Sequence, residues 1–574
     1  MSFSIRRLPF DRTHVDHQAT TDPTLTNWPV VYVLDGTGRG RPLYVGETTS
    51  THKRMRQHLA GPKQHLNLTN IRVVVDDEFH TSACRDLESH LIRWFHGDGQ
   101  YSILNGNDGL TDADYYRRDE YRETFRDVFE ALRAEGLFTR SIPQIENSDL
   151  FKLSPFKALS HDQAIAVEDM LDGLLTDLRD PTKTSTLVVE GVPGTGKTII
   201  AIYLMKLLAD IRDYTDHDDA EPDSMFAEHF TRENATLLTN LKMALVIPQQ
   251  SLRLSVQKVF KKTPQLDPQM VLTPFQIGQA DADFDLILVD ETHRLNQRAN
   301  QASGVQNKQF GVINEHLFGW DDPTRTQLDW IKARSRHQLL LIDGAQTVRP
   351  HDLSPTVLEG ELRAARNAHR HYPLTSQMRV RAGADYVEYI RMLLRGEPAE
   401  RPDFGEYDLR FFDDLGEMRR ALRAKDAEVG LSRLVAGYAW DWKSRRDRTA
   451  FDIELDGEQL RWNSTDKDWI NSPGSVDEVG SIHTVQGYDL NYVGVIIGPD
   501  LRLSASGEII ADREAYRDKK GKENTGHLKG AFTDADLLVF IRNIYGVLLT
   551  RGMLGTYVYV CDEGLRERLR GMLG

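Results

Sequence analysis

The sequence predicts an α/β protein: a small α/β domain followed by two lobes, each built on a parallel sheet. Three observations predict it. Between Pro29 and Gly109, short β-rich runs (VVYVL, IRVVV) alternate with helical patterns (HKRMRQHLA, ACRDLESHLIRWF). From Leu159, near-continuous apolar runs TLVVE, MALVI, DLILVD and QLLLI are followed by helical sequence, as expected of strands covered on both faces. A second strand series, LRFF, LVAGY, SIHTV, VGVIIG and YVYV, comes after it. The 574 residues also exceed what one hydrophobic core usually serves.

In chain order, residues 1–110 form the first domain and residues 111–150 a connecting helix and linker. In DADYYRRDEYRETFRDVFEALRAEG, Tyr121, Phe125, Val128, Phe129 and Leu132 recur at helical spacing, with Thr111 as a cap and Gly136 as a stop. The stretch SIPQIENSDLFKLSPF marks the boundary. Residues 151–350 make the first lobe and residues 351–574 the second. Inside the first lobe, DIRDYTDHDDAEPDSMFAEHFTREN is acidic and poor in apolar residues, and reads as a surface insertion.

Hydrophobic content of 40% and charged content of 27% fit a soluble globular chain, and no apolar run is long enough to cross a bilayer. The opening MSFSIRRLPFDRTHVDH lacks the apolar core of a signal peptide, so a cytoplasmic location and no membrane partner are expected. Cys84 and Cys561 stand far apart without a CxxC pair, which argues against a disulfide framework or a structural zinc site. His52, His65, His90 and His96 share no ligand spacing and are assigned no metal. A net charge of -15 gives no general attraction to polyanions, so any nucleic-acid contact must come from local basic grooves.

GVPGTGKT, from Gly191 to Thr198, sits between the strand TLVVE and the helix IIAIYLMKLLAD. This is G-x-x-x-x-G-K-[ST] in its strand–loop–helix setting. Gly191, Gly194 and Gly196 let backbone N–H groups approach phosphates, Lys197 bridges the β and γ groups, and Thr198 offers a hydroxyl to Mg²⁺. DLILVDETHRL carries a strand to Asp290, placed to hold the Mg²⁺, and to Glu291, placed to orient the attacking water. Together they predict an ATP-hydrolysing site.

From Leu159 onward the chain resembles a superfamily 1 helicase of the Schlafen-like, DUF2075 branch, on motifs that occur in that family's order. ALSHDQ presents Gln163, similar to the glutamine that reads the adenine edge. IDGAQ, with Asp343 and Gln346, resembles the γ-phosphate sensor, and LTSQMR ends in Arg379, placed like the arginine that reaches the phosphates from the second lobe. SIHTVQGYDL, with Thr484, Gln486 and Gly487, resembles the motif coupling nucleic acid to ATP, and VLLTRG puts Arg551 at the second arginine finger. The family motif has Glu where Asp489 stands here, with a shorter reach. The resemblance implies two RecA-like lobes, with Arg379 and Arg551 completing the site when the second lobe closes onto the first.

The first domain resembles the GIY-YIG nucleases over roughly residues 29 to 110. Tyr32 lies in VVYVL, Tyr44 in YVG, Arg54 and His58 on the following helix, Glu88 on a later one, and Asn105 in ILNGNDG, while Val30-Val31-Tyr32 replaces Gly-Ile-Tyr. Arg54 and His58 are i and i+4, hence on one helical face. Glu88 shares its face with Cys84, Leu87, Leu91 and Phe95, where a carboxylate is costly unless compensated. The resemblance implies that a divalent metal, Mg²⁺ by preference, compensates it. It further implies a tyrosine hydroxyl as proton acceptor, Tyr32 ahead of Tyr44, with Arg54 stabilising developing charge, His58 orienting or relaying, and Asn105 fixing local geometry.

The expected function is therefore a metal-dependent endonuclease fused to an ATP-driven helicase or translocase, acting on nucleic acid, DNA favoured over RNA, and serving antiphage defence. The alternative is an ATP-switched nucleic-acid clamp that neither unwinds nor cleaves.

Overall fold

Among the described residues twenty strands form, most of them where the sequence supplies β-branched, leucine and aromatic runs, and they assemble into three main sheets and two short hairpins. The computed structural model describes residues 3–37, 40–61, 66–106, 114–215, 225–298, 304–343, 349, 351–375, 380, 382–398, 400–465, 469–485, 488–518, 522 and 533–573. The chain packs as two units, Met1–Thr182 with Thr198–Leu241 and Ser255–Met270, and Lys183–Lys197 with Lys242–Leu254 and Val271–Gly574. Among the described residues no helix is long and apolar enough to cross a membrane.

The first unit holds a mixed sheet of β1 (Ser4–Pro9), β2 (Val30–Gly36), β3 (Pro42–Thr48), β4 (Leu68–Val75) and β5 (Ser102–Ile103) in the order β1-β4-β2-β3-β5. The first four pair antiparallel and β5 lies parallel to β3. Every residue of β2 is buried, because both faces are covered. Val31 and Val33 pack with Leu43, Val45 and residues of the helices Thr81–Asp98 and Arg118–Ala134. Val30, Tyr32 and Leu34 face the opposite core with Tyr44 and Met55, the latter on the helix Thr51–Ala60. The helix Arg118–Ala134 buries Tyr121, Phe125, Val128, Phe129 and Leu132, the stripe that its spacing predicts.

The second unit contains two parallel sheets. One comprises β6 (Ser185–Gly191), β7 (Met243–Val246), β8 (Val271–Leu272), β9 (Phe284–Val289), β10 (Ser335–Ile342) and β11 (His371–Leu374), in the order β11-β6-β10-β9-β7-β8. The other draws on β12 (Asp408–Phe412) and β13 (Ser432–Ala436), then, after a hairpin of β14 (Ile453–Leu455) and β15 (Glu458–Leu460), on β16 (Val479–Gly480) and β17 (Leu490–Ile497). A second hairpin pairs β18 (Leu501–Leu503) with β19 (Ile509–Ala511), and β20 (Gly552–Val560) completes the sheet order β12-β20-β17-β13-β16. The fold is the expected α/β arrangement with two parallel sheets after a small mixed one.

Two local readings are corrected. SIHTV is not a strand: Ile482–Val485 is helical, because the Thr484 hydroxyl accepts from Ser481 N at 2.9 Å and donates to Ser481 O at 2.9 Å, closing a turn. The acidic stretch after the first-lobe helix is not wholly a surface insertion. Residues 216–224 lie outside the described residues, but Phe226 is fully buried and His229 nearly so, and Thr231 caps the helix Arg232–Leu238.

Asp500, 1% exposed, accepts from the Tyr545 hydroxyl at 2.6 Å. Burial pushes its carboxyl from 3.8 up to about 7. A folded-state value above the unfolded one gives stability that is complete below about pH 4 and is lost as the pH rises to about 7. Asp500→Asn keeps an acceptor for Tyr545 and removes the titration. Thermal unfolding is expected to show the variant close to wild type at pH 4 and more stable at pH 8, by on the order of 2–4 kcal/mol. Parallel pH profiles would refute this.

Candidate functional sites

The glycine loop expected to bind phosphate begins at the carboxyl end of β6. Gly194 and Gly196 adopt φ of +88° and +81°, a left-handed region that favours glycine. A Cβ on Gly191 would lie 2.4 Å from the Thr195 hydroxyl, so this position too requires glycine. The helix Lys197–Arg212 starts at the loop's end, with Thr198 as its second residue. Lys197 is 9% exposed; its ammonium donates to the carbonyls of Gly191 at 2.5 Å and Val192 at 3.1 Å and lies 3.7 Å from Asp343.

Asp343 follows β10 and Asp290 follows β9, and both are buried. Together with Lys197 they gather at the carboxyl ends of adjacent parallel strands, where open α/β sheets bind ligands. Glu291 has φ of +51°, a strained backbone for a residue with a side chain, and its Oε2 is 2.9 Å from His293 Nε2, though not aligned as a hydrogen bond. Burial pushes the Glu291 carboxyl up, but His293, Arg294 and Lys197 outweigh it and hold it below the usual range, so it is ionised at neutral pH. A cationic lysine on a glycine loop, with buried hard oxygen donors beside it, fits a nucleotide phosphate and Mg²⁺.

Gln163 sits in a capping box, its Oε1 accepting from Ser160 N at 3.0 Å, so the S-H-D-Q pattern also has a local structural reason. Arg551 is 1% exposed and donates to the Tyr488 carbonyl at 3.2 Å. Gln346, Arg379, Gln486 and Gly487 lie outside the described residues. Sequence reading passed over His293, two positions after Glu291 in DETHRL. It also passed over the buried pair Arg294–Asp352 at 3.2 Å and the partly buried pair Arg349–Asp518 at 3.2 Å, whose partners are too distant in sequence to leave a local pattern.

In the first domain, β2 and β3 pair so that Tyr32 lies opposite Gly46. A Cβ on Gly46 would fall 2.3 Å from the Tyr32 hydroxyl, so the glycine of YVG leaves room for that group. The hydroxyl is 2.8 Å from His58 Nε2 and accepts from Arg54 Nε at 3.4 Å. Tyr44 packs edge-on to His58, with ring centroids 5.2 Å apart, and lies 6.1 Å from the Tyr32 ring. The structure thus brings four predicted residues together. Asn105 clasps the β3 backbone, accepting from Val45 N at 3.1 Å and donating to Val45 O at 2.8 Å.

Glu88 is 6% exposed on the helix Thr81–Asp98, among the buried Cys84, Leu87, Leu91 and Phe95. Burial pushes the Cys84 thiol far up, and Glu47, Glu88 and Asp76 push it further, so these three carboxylates act on one thiol. Glu47, the residue after Gly46, also pairs with Arg85 at 3.4 Å. Sequence reading missed Glu47, although it follows directly on YVG. Among the described residues no three donors converge as a metal cage. One or two buried carboxylates, with water and phosphate completing the shell, suit Mg²⁺.

A family model described as "Schlafen group 3, DNA/RNA helicase domain" matches residues 184–562. The uncharacterized protein YPL245W of Saccharomyces cerevisiae is 37% identical over 169 residues, 28% of this chain, which spans 36% of that relative. Similar solved structures include Pif1 helicase from Candida albicans, at 10% identity and a TM-score of 0.26, covering 72% of this chain and 100% of that one. Pif1 helicase from Bacteroides in complex with ADP-AlF3 and ssDNA has 8% identity and a TM-score of 0.24, covering 70% of this chain and 93% of that one.

Proposed function

The chain belongs to the Schlafen group 3 DNA/RNA helicase-domain family, with its helicase-like domain at residues 184–562, and from that premise we propose an ATP-driven nucleic-acid helicase or translocase fused to a metal-dependent endonuclease. The observation that carries the motor half is Lys197 set against Asp343 on a glycine loop, with ionised Glu291 in the same unit. Lys197 neutralises charge on the β and γ phosphates, and Glu291 orients the attacking water. Thr198 and Asp290 would hold Mg²⁺, which supplies charge neutralisation when bound. Arg379 and Arg551 serve as arginine fingers, and Gln163 reads the base.

The Tyr32 hydroxyl, placed between His58 and Arg54, supports the nuclease half. Tyr32 accepts a proton from water, His58 relays it, and Arg54 stabilises charge at phosphorus. Tyr44 holds His58 in place and Asn105 fixes the strand beneath them. Glu88 would hold the divalent metal, whose chemistry is charge stabilisation at the leaving oxygen. DNA is favoured over RNA, and restriction of foreign DNA is the role that such a pairing serves.

Supercoiled plasmid incubated with the full chain, with ATP and Mg²⁺ each included or omitted, tests this reading. Nicking that requires Mg²⁺, with ATP hydrolysis that also requires it, supports it. ATP-dependent retention of plasmid without nicking or unwinding would replace it with the clamp, a reading to which the shorter reach of Asp489 lends support.

A further inference from the structure

Between β13 and β16 the chain leaves its sheet for residues 437–478 and carries a run, WKSRRDR, with Lys443, Arg445, Arg446 and Arg448 against the lone carboxylate of Asp447. In a chain of net charge -15 this is a local concentration of positive charge. Trp442 and Trp462 line a cavity of about 550 Å³ there, together with Arg445, Arg448, Asn463 and Thr465. Trp462 is 4% exposed and forms the floor, while Trp442 is half-buried. The Arg445 guanidinium lies 5.4 Å from the centre of the Trp442 ring.

The cavity is held by bonds of its own. Buried Asp452 accepts from Ser444 N at 2.8 Å, Ser444 Oγ at 2.5 Å and Trp462 N at 2.8 Å, tying the basic run to the strand end that carries the floor. Arg461 stacks on Phe451 at 4.2 Å and donates to the carbonyls of Ala450 and Thr449, both at 3.1 Å. Glu478, the acid in the lining, accepts from Ser464 N at 2.9 Å and Trp469 Nε1 at 2.7 Å. Arg461 and Glu478 are thus engaged in building the pocket. Arg445 and Arg448 are exposed and form no ion pair among the described residues. A merely solvated loop has no need of a fixed aromatic wall beneath such arginines.

We propose that this pocket holds an unpaired nucleotide of a bound single strand, a contact separate from the ATP-handling and phosphodiester-handling residues. The indole of Trp442 stacks a base above the buried Trp462, and Arg445 and Arg448 neutralise flanking phosphates, the pairing that single-strand binding surfaces use. This rests on the reading of the chain as a nucleic-acid motor.

The test is anisotropy of fluorescein-labelled dT20 and U20 with the full chain across 50–300 mM salt, alongside ultraviolet cross-linking mapped by mass spectrometry. Trp442→Ala is expected to weaken binding about ten-fold. The double variant Arg445→Ala/Arg448→Ala is expected to lower the salt slope by about 1–1.5. Wild-type cross-links are expected within residues 442–465, and the dT20 and U20 arms separate DNA from RNA. Wild-type binding with unchanged variants and cross-links elsewhere overturns this inference alone. Protection of the cross-link by free ATP as effectively as by dT20 makes it a mononucleotide site and also overturns it. No strand binding by wild type overturns the motor reading together with this one.

Discussion

Replacing Lys197 by alanine is expected to lower ATP turnover by about a hundred- to a thousand-fold and to abolish detectable nucleotide binding. The reason is electrostatic. The ammonium is almost enclosed, and a charge held in such a site acts on phosphate oxygens far more strongly than one in bulk water. Its present hydrogen-bond acceptors, the carbonyls of Gly191 and Val192, are neutral and are released at little cost when a polyanion arrives, while Asp343 stays 3.7 Å from the ammonium. Glu291→Gln separates binding from chemistry. It keeps the shape and removes the ionised carboxylate, so a fluorescent ATP analogue should bind within about three-fold of wild type while phosphate release falls about a hundred-fold. Lys197→Ala hydrolysing ATP at a rate near that of wild type, with an unchanged melting temperature, would remove the phosphate-binding assignment.

How much was legible in the sequence depends on the range over which each feature is determined. TLVVE, MALVI, DLILVD and QLLLI announce β6, β7, β9 and β10, because a strand covered on both faces leaves no polar alternation to misread. The phosphate loop is equally plain, since its glycines, lysine and helix start are consecutive. SIHTV misled because five residues of mixed character suit either period, and the Ser481–Thr484 bonds that settle the turn are a matter of geometry. β1 extends the first unit upstream of Pro29 through pairing with β4, a partner more than sixty residues away. Arg349 and Asp518 are farther apart still, and nothing near either one signals the other. The Tyr32–His58 contact was reachable only through the GIY-YIG resemblance, because a lone strand tyrosine is ordinarily core.

That contact sets the second large effect. Tyr32→Phe is expected to reduce plasmid nicking by about a hundred-fold or more while leaving ATP hydrolysis unchanged. The substitution removes one oxygen. The ring stays fully buried against Tyr44, and the space above Gly46 stays filled to within that atom, so the sheet has no reason to repack. What is lost is the group that His58 and Arg54 hold between them. Gly46→Ala approaches the same point from the opposite strand: its methyl would collide with the hydroxyl, so nicking should fall with about 1–3 kcal/mol of stability lost as well. Glu88→Gln keeps volume but not charge, and should remove the Mg²⁺ dependence along with the activity. If the combined Tyr32→Phe/Glu88→Gln chain nicks as fast as wild type, the cleavage observed belongs to another site, and the buried Tyr32 and His58 with the partly buried Arg54 are packing and nothing more.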